Sequence, residues 1–301
     1  MLSEIITLGR KIYNLDNMRE QHRFIVFIIR SLLHYKSIMC LYKWFQKDET
    51  RKAILAKNPF SIEQATRGFF YSGSTFKARC VLIRNHINLL CKKLNPSWAI
   101  KLGQFDGNYC VWRYINNDIN WTAVLTFEPG QRKEGMITLK MVLDGADLYQ
   151  MMFWLGIDKN NEEMICIGAM QGPNMENAKA VIKNITKLSY RYRTKNLILY
   201  MTMAVARSLR VKHIYAVSNE GYYANNHVRR DRKLKTNFGQ FWQECGGHIT
   251  EDTRFYELPL VEKRKTIEEV PTRKRAIYRK RFDFQDDVDK QIMANMEAII
   301  I

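Results

Sequence analysis

The pattern of the chain changes at residues 163–188, which read EMICIGAMQGPNMENAKAVIKNITKL. After Glu163, the residues up to Met170 form an apolar run typical of a buried strand, whereas MENAKAVIKNITKL carries apolar residues at helical spacing. Between them lies a bend with Gly172 and Pro173, and proline suits the first turn of a helix, where its missing N–H has no partner to lose. The stretch therefore predicts a strand, a bend and a helix.

A strand, a glycine-bearing bend and a helix is also a layout in which phosphates are held. Gly168 and Gly172 are four residues apart, which fits neither the GxGxxG nor the GxxxxGK[ST] fingerprint. We therefore interpret the bend as a strand exit. The Gln171 side chain either faces a ligand there or caps the turn with its amide.

The segments before and after this stretch extend the pattern. Upstream, the aromatic or β-branched runs NYCVWRYI, WTAVLTF, MITLKMVL and LYQMMFWL are separated by turn residues, which predicts successive antiparallel strands. Downstream follow a central helix in KNLILYMTMAVARSL, a strand in HIYAVSN, a helix in NFGQFWQECGG and a strand in RFYELPL. We predict an α/β (α+β) fold with a mixed, mostly antiparallel sheet.

The two ends of the chain have a different character. Apolar residues at helical spacing dominate the start, as in RFIVFIIRSLLHYKSIMCLYKWF, which predicts a helical region over 1–97. The α/β domain then covers 98–261. Residues 262–301 begin with EKRKTIEEVPTRKRAIYRKR, which we interpret as an extended basic arm followed by a C-terminal helix.

Composition narrows the classes of protein. A hydrophobic content of 46% over 301 residues supports a folded core, and a net charge of +18 favours an anionic partner such as nucleic acid, an acidic membrane or a phosphate-bearing molecule. The N-terminus lacks signal-peptide features, and the run FIVFII at 24–29 is far shorter than the roughly 20 residues of a membrane span. Six scattered cysteines without CxxC are typical of free thiols. We expect a cytoplasmic protein without a transmembrane segment or metal site, and peripheral contact with the inner membrane stays open.

Several marks along the chain resemble the VirK/YbjX family of proteobacterial proteins. They are STFKARCVLIRNHINLL at 74–90, IGAMQG at 167–172, ITK at 185–187, ARSLRVKHIYAVSN, FWQECGG with FYELPL, and EEVPTRKRAIYRKR. One departure is the Gly-x-x-Pro-Lys turn expected before the central helix, because residues 190–195 read YRYRTK, without glycine or proline. The resemblance implies a bacterial protein of the cytoplasm or the envelope periphery, associated with virulence and envelope functions, and it brings no established reaction.

The basic loop before the central helix is the best candidate for an anion site. It brings Arg191, Arg193 and Lys195 to a helix N-terminus, whose free N–H groups favour anions. The element order from 163 to 260 is similar to that of acyl-CoA-dependent N-acyltransferases of the GNAT type, although the usual Arg/Gln-x-x-Gly-x-Gly/Ala signature is missing. Under this hypothesis acyl-CoA is the cofactor, Gln171 faces its acyl arm and Asn219 ends the adjacent strand near the reacting centre. The alternative for both residues is that their side-chain amides cap turns.

Two further groups of residues are candidates. Arg79 and His86 lie seven residues apart on one helical face, where Arg79 could hold an anion and His86 could be either a base or a packing residue. The strongest charge features are VRRDRKLK at 228–235 and the C-terminal arm, whose anion-binding candidates are Arg229, Arg230, Arg273, Lys274, Arg275, Arg279 and Arg281.

Two functions follow. The leading hypothesis is a GNAT-like acyltransferase, or a degenerate ligand-binding version of one. The alternative is a non-enzymatic module that binds anionic lipid or nucleic acid through its basic arm.

Overall fold

The computed structural model of the chain describes residues 2–105, 107–115, 118–225 and 236–301. Within these ranges it contains eleven α-helices and one mixed sheet of eight strands. The α+β fold with a helical N-terminal region is therefore confirmed. Buried apolar residues from the N-terminal, central and C-terminal segments join one hydrophobic cluster, and the division at 97 and 261 stays a prediction.

The N-terminal region consists of seven helices. They are α1 (Leu2–Ile12), α2 (Met18–Leu33), α3 (Tyr35–Gln46), α4 (Glu49–Lys57), α5 (Phe60–Thr66), α6 (Phe76–Lys93) and α7 (Pro96–Gly103). Side chains cap several of their first turns: Asn17 accepts N–H bonds from α2, Asp48 from α4 and Thr75 from α6. No single helix of the described residues is long and apolar enough to cross a membrane; α2 and α3 together have the length and composition, but the chain bends by 96° between them.

The sheet follows in eight strands. They are β1 (Asn108–Arg113), β2 (Trp121–Thr126), β3 (Ile137–Leu143), β4 (Ala146–Ile157), β5 (Glu163–Gln171), β6 (His213–Val217), β7 (His248–Ile249) and β8 (Phe255–Leu258). Their order in the sheet is β1-β2-β3-β4-β5-β6-β8-β7, and every neighbouring pair is antiparallel except β5 with β6. The predicted hairpin at DGAD is present, because Asp144 and Gly145 both adopt positive φ between β3 and β4.

Four more helices complete the fold: α8 (Ala178–Leu188), α9 (Thr194–Ser208), α10 (Phe238–Glu244) and α11 (Thr272–Glu297). In α9, eleven of 15 residues are buried, which agrees with its predicted central position. The run from Met151 to Leu155 in β4 is exposed by 2% or less at every residue, so both faces of the sheet are covered. Helix α6 packs on β4, α9 packs on β3 and β4, and α11 lies along α9 and β1.

The C-terminal segment differs from the predicted extended arm. The basic residues 273–281 are the first turns of α11 rather than an extended stretch. No glycine or proline interrupts residues 272–297, and Phe284, Val288, Ile292 and Met296 recur every fourth residue and are buried. Because this apolar row packs on the domain, it stabilises the whole helix, including its basic beginning.

Glu63 joins three separate parts of the chain. Its side chain in α5 is fully buried and accepts hydrogen bonds from the Tyr13 hydroxyl at 2.7 Å, from Arg132 Nε at 2.7 Å and from Arg67 Nη1 at 3.5 Å. The Arg132 side chain is only 14% exposed. Loss of the carboxylate would therefore leave a buried cation without its counter-ion.

We expect Glu63→Ala to lower the free energy of unfolding by about 3–5 kcal/mol, since breaking a buried pair leaves the partner charge uncompensated. Urea unfolding of the wild type and the variant measures this difference. Glu49→Ala is the control, because the Glu49 side chain is 89% exposed and pairs with Lys52 at the surface; its effect should stay below about 0.5 kcal/mol. Equal losses in both variants would contradict the role assigned to Glu63.

Candidate functional site

The parallel strands β5 and β6 separate before β5 ends. Their pairing runs from Met164 opposite His213 to Ile167 opposite Ala216 and stops there, while β5 continues to Gln171 paired with β4 alone. The register with β4 shifts at this point, because Met152 pairs with Ala169 and Phe153 with Ile167, which leaves Gly168 as an extra residue. A bulge of this kind redirects a strand, and bulges are frequent beside active sites.

Glu134 and Tyr222 lie next to this bulge. A Cβ atom on Gly168 would lie 1.8 Å from the Glu134 carbonyl oxygen, so only glycine permits this approach. The Glu134 side chain is buried and accepts a hydrogen bond of 2.6 Å from the Tyr222 hydroxyl. Burial raises the pKa of Glu134, against the opposing effect of that bond. Sequence reasoning missed this pair, because its members are 88 residues apart and both lie outside the helices and named strands.

A cavity of about 940 Å³ opens on one face of the sheet. One wall is α6, the floor is formed by β4, β5, β6 and β8, and the segment 248–252 closes the far side. Trp154, Cys166 and Tyr215 are floor residues that stand opposite one another in the sheet register. Tyr71 also lines the cavity and forms a β-bridge with Tyr222. Tyr71 therefore links the cavity to the Glu134–Tyr222 pair, although neither member of the pair lines the cavity itself.

A charged cluster occupies one end of the cavity. His213 Nε2 lies 2.8 Å from Glu162 and Nδ1 lies 2.7 Å from Glu257, and these bonds, the one to Glu162 first, raise the pKa of His213. Asp158, Glu162 and His213 offer ligand atoms that lie within 4.8 Å of one another. One imidazole and two carboxylates are donor types that divalent cations accept. Among the described residues this is the group that could hold a metal ion, and sequence reasoning did not select it.

The basic loop lies where the sequence predicted it, at the N-terminus of α9. Arg193 and Lys195 lie 3.5 Å and 3.6 Å from the Glu244 carboxylate, and Lys195 also stands over the Phe241 ring. Arg191 is exposed and contacts no carboxylate of the described residues. The structure therefore brings these three cations together at one helix end, with a single acid partly balancing two of them.

The loop keeps the backbone conformation of a glycine-containing turn, although it has no glycine. Aligned on Lys195, the Gly-x-x-Pro-Lys turn places glycine at Arg191 and proline at Thr194. Arg191 adopts φ of +63° and Tyr190 +52°, both in the left-handed region that glycine prefers. The turn is thus kept without glycine, at a cost of roughly 1–2 kcal/mol for each non-glycine residue.

Gln171 is the last residue of β5 and Asn219 follows β6, and the side chains of both have hydrogen-bond partners. Gln171 is exposed and accepts a hydrogen bond from the Gln131 side chain. Asn219 accepts one from Gly239 N–H at 3.2 Å and donates one to the Thr236 carbonyl at 3.1 Å. The Asn219 amide therefore joins the end of β6 to the start of α10, which is the capping role left open by the sequence.

Arg79 and His86 share a face of α6, as predicted, and that face is turned into the protein. Arg79 donates to the Ala65 carbonyl at 2.9 Å and to the Ser74 carbonyl, and burial lowers its pKa. His86 Nδ1 accepts the Leu155 N–H at 3.0 Å, and burial lowers the pKa of His86 to about 3. Both side chains serve the packing of α6 on its neighbours, and neither residue lines the cavity.

The cations of the C-terminal segment divide into two groups. Arg275 donates to the Val270 carbonyl and Arg281 donates twice to the Tyr190 carbonyl, so these two hold the helix to neighbouring loops. Arg273, Lys274 and Arg279 are exposed in the first turns of α11. Arg229 and Arg230 lie outside the described residues.

The buried His86 makes stability depend on pH. Its pKa is about 3 in the folded chain against an ordinary value of 6.5, so protonation favours the unfolded chain. The stabilisation is complete above pH 6.5 and is lost as the pH falls from 6.5 towards about 3. We expect His86→Leu to cost about 1–3 kcal/mol at pH 7, because the Leu155 N–H loses its acceptor.

Urea unfolding of the wild type and His86→Leu between pH 7 and pH 4 measures this. The difference in free energy of unfolding between the two proteins should narrow as the pH falls, since only the wild type loses the His86 contribution. A difference in free energy of unfolding that stays constant with pH would mean that His86 does not titrate in this range.

The fold and site define an α+β protein with one parallel strand pair, a bulge where that pair separates and a cavity beside it. A family model described as "Protein of unknown function (DUF535)" matches residues 16–294. The chain belongs to this family, and the resemblance to YbjX proteins is confirmed.

Relatives in two bacteria are similar over part of their length. The "Uncharacterized protein YbjX" of Escherichia coli K12 is 32% identical over 183 residues, which is 60% of this chain and 54% of the relative. Two uncharacterized proteins of Haemophilus influenzae are 26% identical over 43% of this chain and 43% of the relative, and 25% identical over 50% and 55%. The chain thus spans about half the length of the curated relatives it matches. No solved structure matches the chain.

Proposed function

We propose that this protein is a GNAT-like acyltransferase that binds acyl-CoA where β5 and β6 separate, in support of the envelope or virulence functions that the family resemblance implies. The observation that carries the proposal is the sheet: four antiparallel neighbours lead to one parallel pair, which opens at the Gly168 bulge. The last three strands, in the order β6-β8-β7, complete the element order of GNAT-type enzymes. This likeness is one of topology, and the site residues must supply the chemistry.

The cationic end of α9 supports binding of the phosphates of CoA. Helix N-termini favour anions through their free N–H groups and their dipole. Arg191, Arg193 and Lys195 add three positive charges at this end, and Arg191 is exposed despite a strained backbone.

Glu134 supports the transfer step. An amine that attacks the thioester carbonyl forms an amide, releases the thiolate of CoA and must lose a proton. Glu134 lies beside the Gly168 bulge where the strands separate, and its burial raises its pKa, which favours a carboxylate that takes up a proton. In this proposal Glu134 takes the proton, Tyr222 holds its carboxylate in place, and the cavity admits the acceptor.

Isothermal titration with acetyl-CoA and with a long-chain acyl-CoA tests the proposal. The wild type should bind with a saturable heat, and Arg191→Gly should weaken binding about tenfold or more, because one charged contact to phosphate is lost. The same substitution should raise the free energy of unfolding by about 1 kcal/mol, since glycine relieves the positive φ. Loss of binding in a more stable protein separates the ligand role from folding.

Arg210→Gly is the matched control. Arg210 is also exposed, also adopts positive φ (+53°), and lies just beyond the opposite end of α9. It should gain stability in the same way without a change in acyl-CoA affinity. Absence of heat with both acyl-CoA probes, or equal weakening of acyl-CoA binding in both variants, would contradict the proposed acyl-CoA site. Binding without transfer to any amine would leave the degenerate, ligand-binding version.

A second candidate function rests on the charges of α11. The first ten residues of this helix, 272–281, contain six Lys or Arg and no acid. Cations near a helix N-terminus oppose the helix dipole, so this arrangement does not stabilise the helix by itself. Binding of anionic lipid or nucleic acid by Arg273, Lys274 and Arg279 would account for these charges.

We expect the wild type to bind a DNA duplex or anionic vesicles in a salt-dependent way, and substitution of the exposed cations of α11 to weaken this binding. Deletion of residues 262–301 is unsuitable as a test, because α11 contributes buried residues to the core. The triple variant Arg273→Ser, Lys274→Ser and Arg279→Ser should lower the slope of log affinity against log salt by about 2–3 for a short DNA duplex. Phosphatidylglycerol vesicles provide the lipid arm. The control replaces the exposed Lys47, Lys52 and Lys57 by serine; an equal loss in this control would show only a net-charge effect.

A further inference from the structure

Helix α2 carries apolar side chains on two opposite sides. Phe27 and Ser31 are 1% and 0% exposed and face the core. The other side is apolar and open to solvent, which is unusual for a helix on a protein surface. Its large exposed residues are Met18 (83%), Ile25 (55%), Ile29 (52%), Leu32 (46%) and Leu33 (76%). We call these five residues the α2 stripe.

The stripe runs from the first to the last turn of the helix, with the exposed Gln21 and His22 in the gap between Met18 and Ile25. At 3.6 residues per turn, Met18, Ile25, Ile29 and Leu32 fall within about 60° of one another, and Phe27 lies about 180° from Met18. The 16-residue helix is roughly 24 Å long, so the stripe covers nearly its full length. Single exposed apolar residues need no explanation, whereas an ordered row of them marks an interaction surface.

Cations flank one edge of the stripe. Arg19, Arg23 and Arg30 lie about 100–140° from Met18 around the helix, and Arg19 and Arg30 are exposed. Arg23 pairs with Glu20 on the core side of that edge. With a net charge of +18 for the whole chain, this part of the surface complements an anionic partner. A second copy packed antiparallel on the stripe would bring the same arginines against each other, which disfavours that form of self-association.

We propose that the α2 stripe docks on an anionic lipid surface, with the helix axis parallel to the membrane plane. An apolar face beside a row of arginines is the arrangement of interfacial helices, in which the apolar side chains enter the headgroup boundary and the cations meet anionic lipids. Crossing the bilayer is not required, because α2 is too short alone, and Phe27 and Ser31 keep its other side in the core. This site is separate from the acyl-CoA site and from α11.

Flotation of the full chain with vesicles tests the proposal. Vesicles of phosphatidylcholine with phosphatidylglycerol should bind the wild type more strongly than phosphatidylcholine alone. Ile25→Gln with Ile29→Gln should lower the partition coefficient about 10- to 100-fold, because two half-exposed isoleucines no longer insert. Both positions are already exposed, so folding should be preserved, and a thermal unfolding curve checks this. Arg19→Gln with Arg30→Gln should reduce the preference for phosphatidylglycerol.

The control replaces Val261 and Met293 by glutamine, since these residues are 63% and 53% exposed and lie outside the stripe. It should bind vesicles like the wild type. Equal binding of the Ile25/Ile29 variant and the wild type would overturn the proposal. A dimer in sedimentation that the Ile25/Ile29 variant converts to a monomer would also overturn it, because the stripe would then be an interface between copies. Neither result affects acyl-CoA titration, so the two proposals fail independently.

Discussion

The parallel pairing of β5 with β6 is the constraint on which the arrangement of the rest depends. Two parallel neighbours cannot be joined by a tight turn, so the chain must leave the carboxyl end of β5 and return to the amino end of β6. Helices α8 and α9 make this connection, and α9 is buried along most of its length as a result. The same connection brings the N-terminus of α9 and its cations to the side on which β5 ends.

The strands β5 and β6 separate at the bulge formed by Gly168. Beyond Ile167 the backbone of β5 follows β4 alone, and the segment that contains Glu134 passes over Gly168 at a distance that excludes any side chain. Glu134 is then held by Tyr222, which arrives from the loop after β6. Three distant parts of the sequence thus meet where β5 loses one of its two neighbouring strands.

The N-terminal helices contribute one wall of the cavity and one unusual surface. Helix α6 faces the sheet with buried residues, and its hydrogen bonds to α5 and β4 through Arg79 and His86 show why polar residues occur on an otherwise apolar face. Each satisfies backbone groups that would be costly to bury alone. Helix α2, in contrast, exposes apolar residues that no part of the described chain covers.

The sequence by itself determined the element types and much of their order, because hydrophobic period, turn residues and caps act over a few neighbouring residues. It predicted the antiparallel strands, the central α9 and the basic loop at its start. It was wrong about the extended form of 272–281, since the apolar row that stabilises this helix lies one to six turns further on and acts through packing. Only the tertiary structure decided that His86 accepts a backbone bond inside the core, that Asn219 binds the first turn of α10, and that Glu134 meets Tyr222 beside the Gly168 bulge. These contacts join residues 17 to 88 positions apart, and their formation depends on strand register and close packing, which no local pattern of residues records.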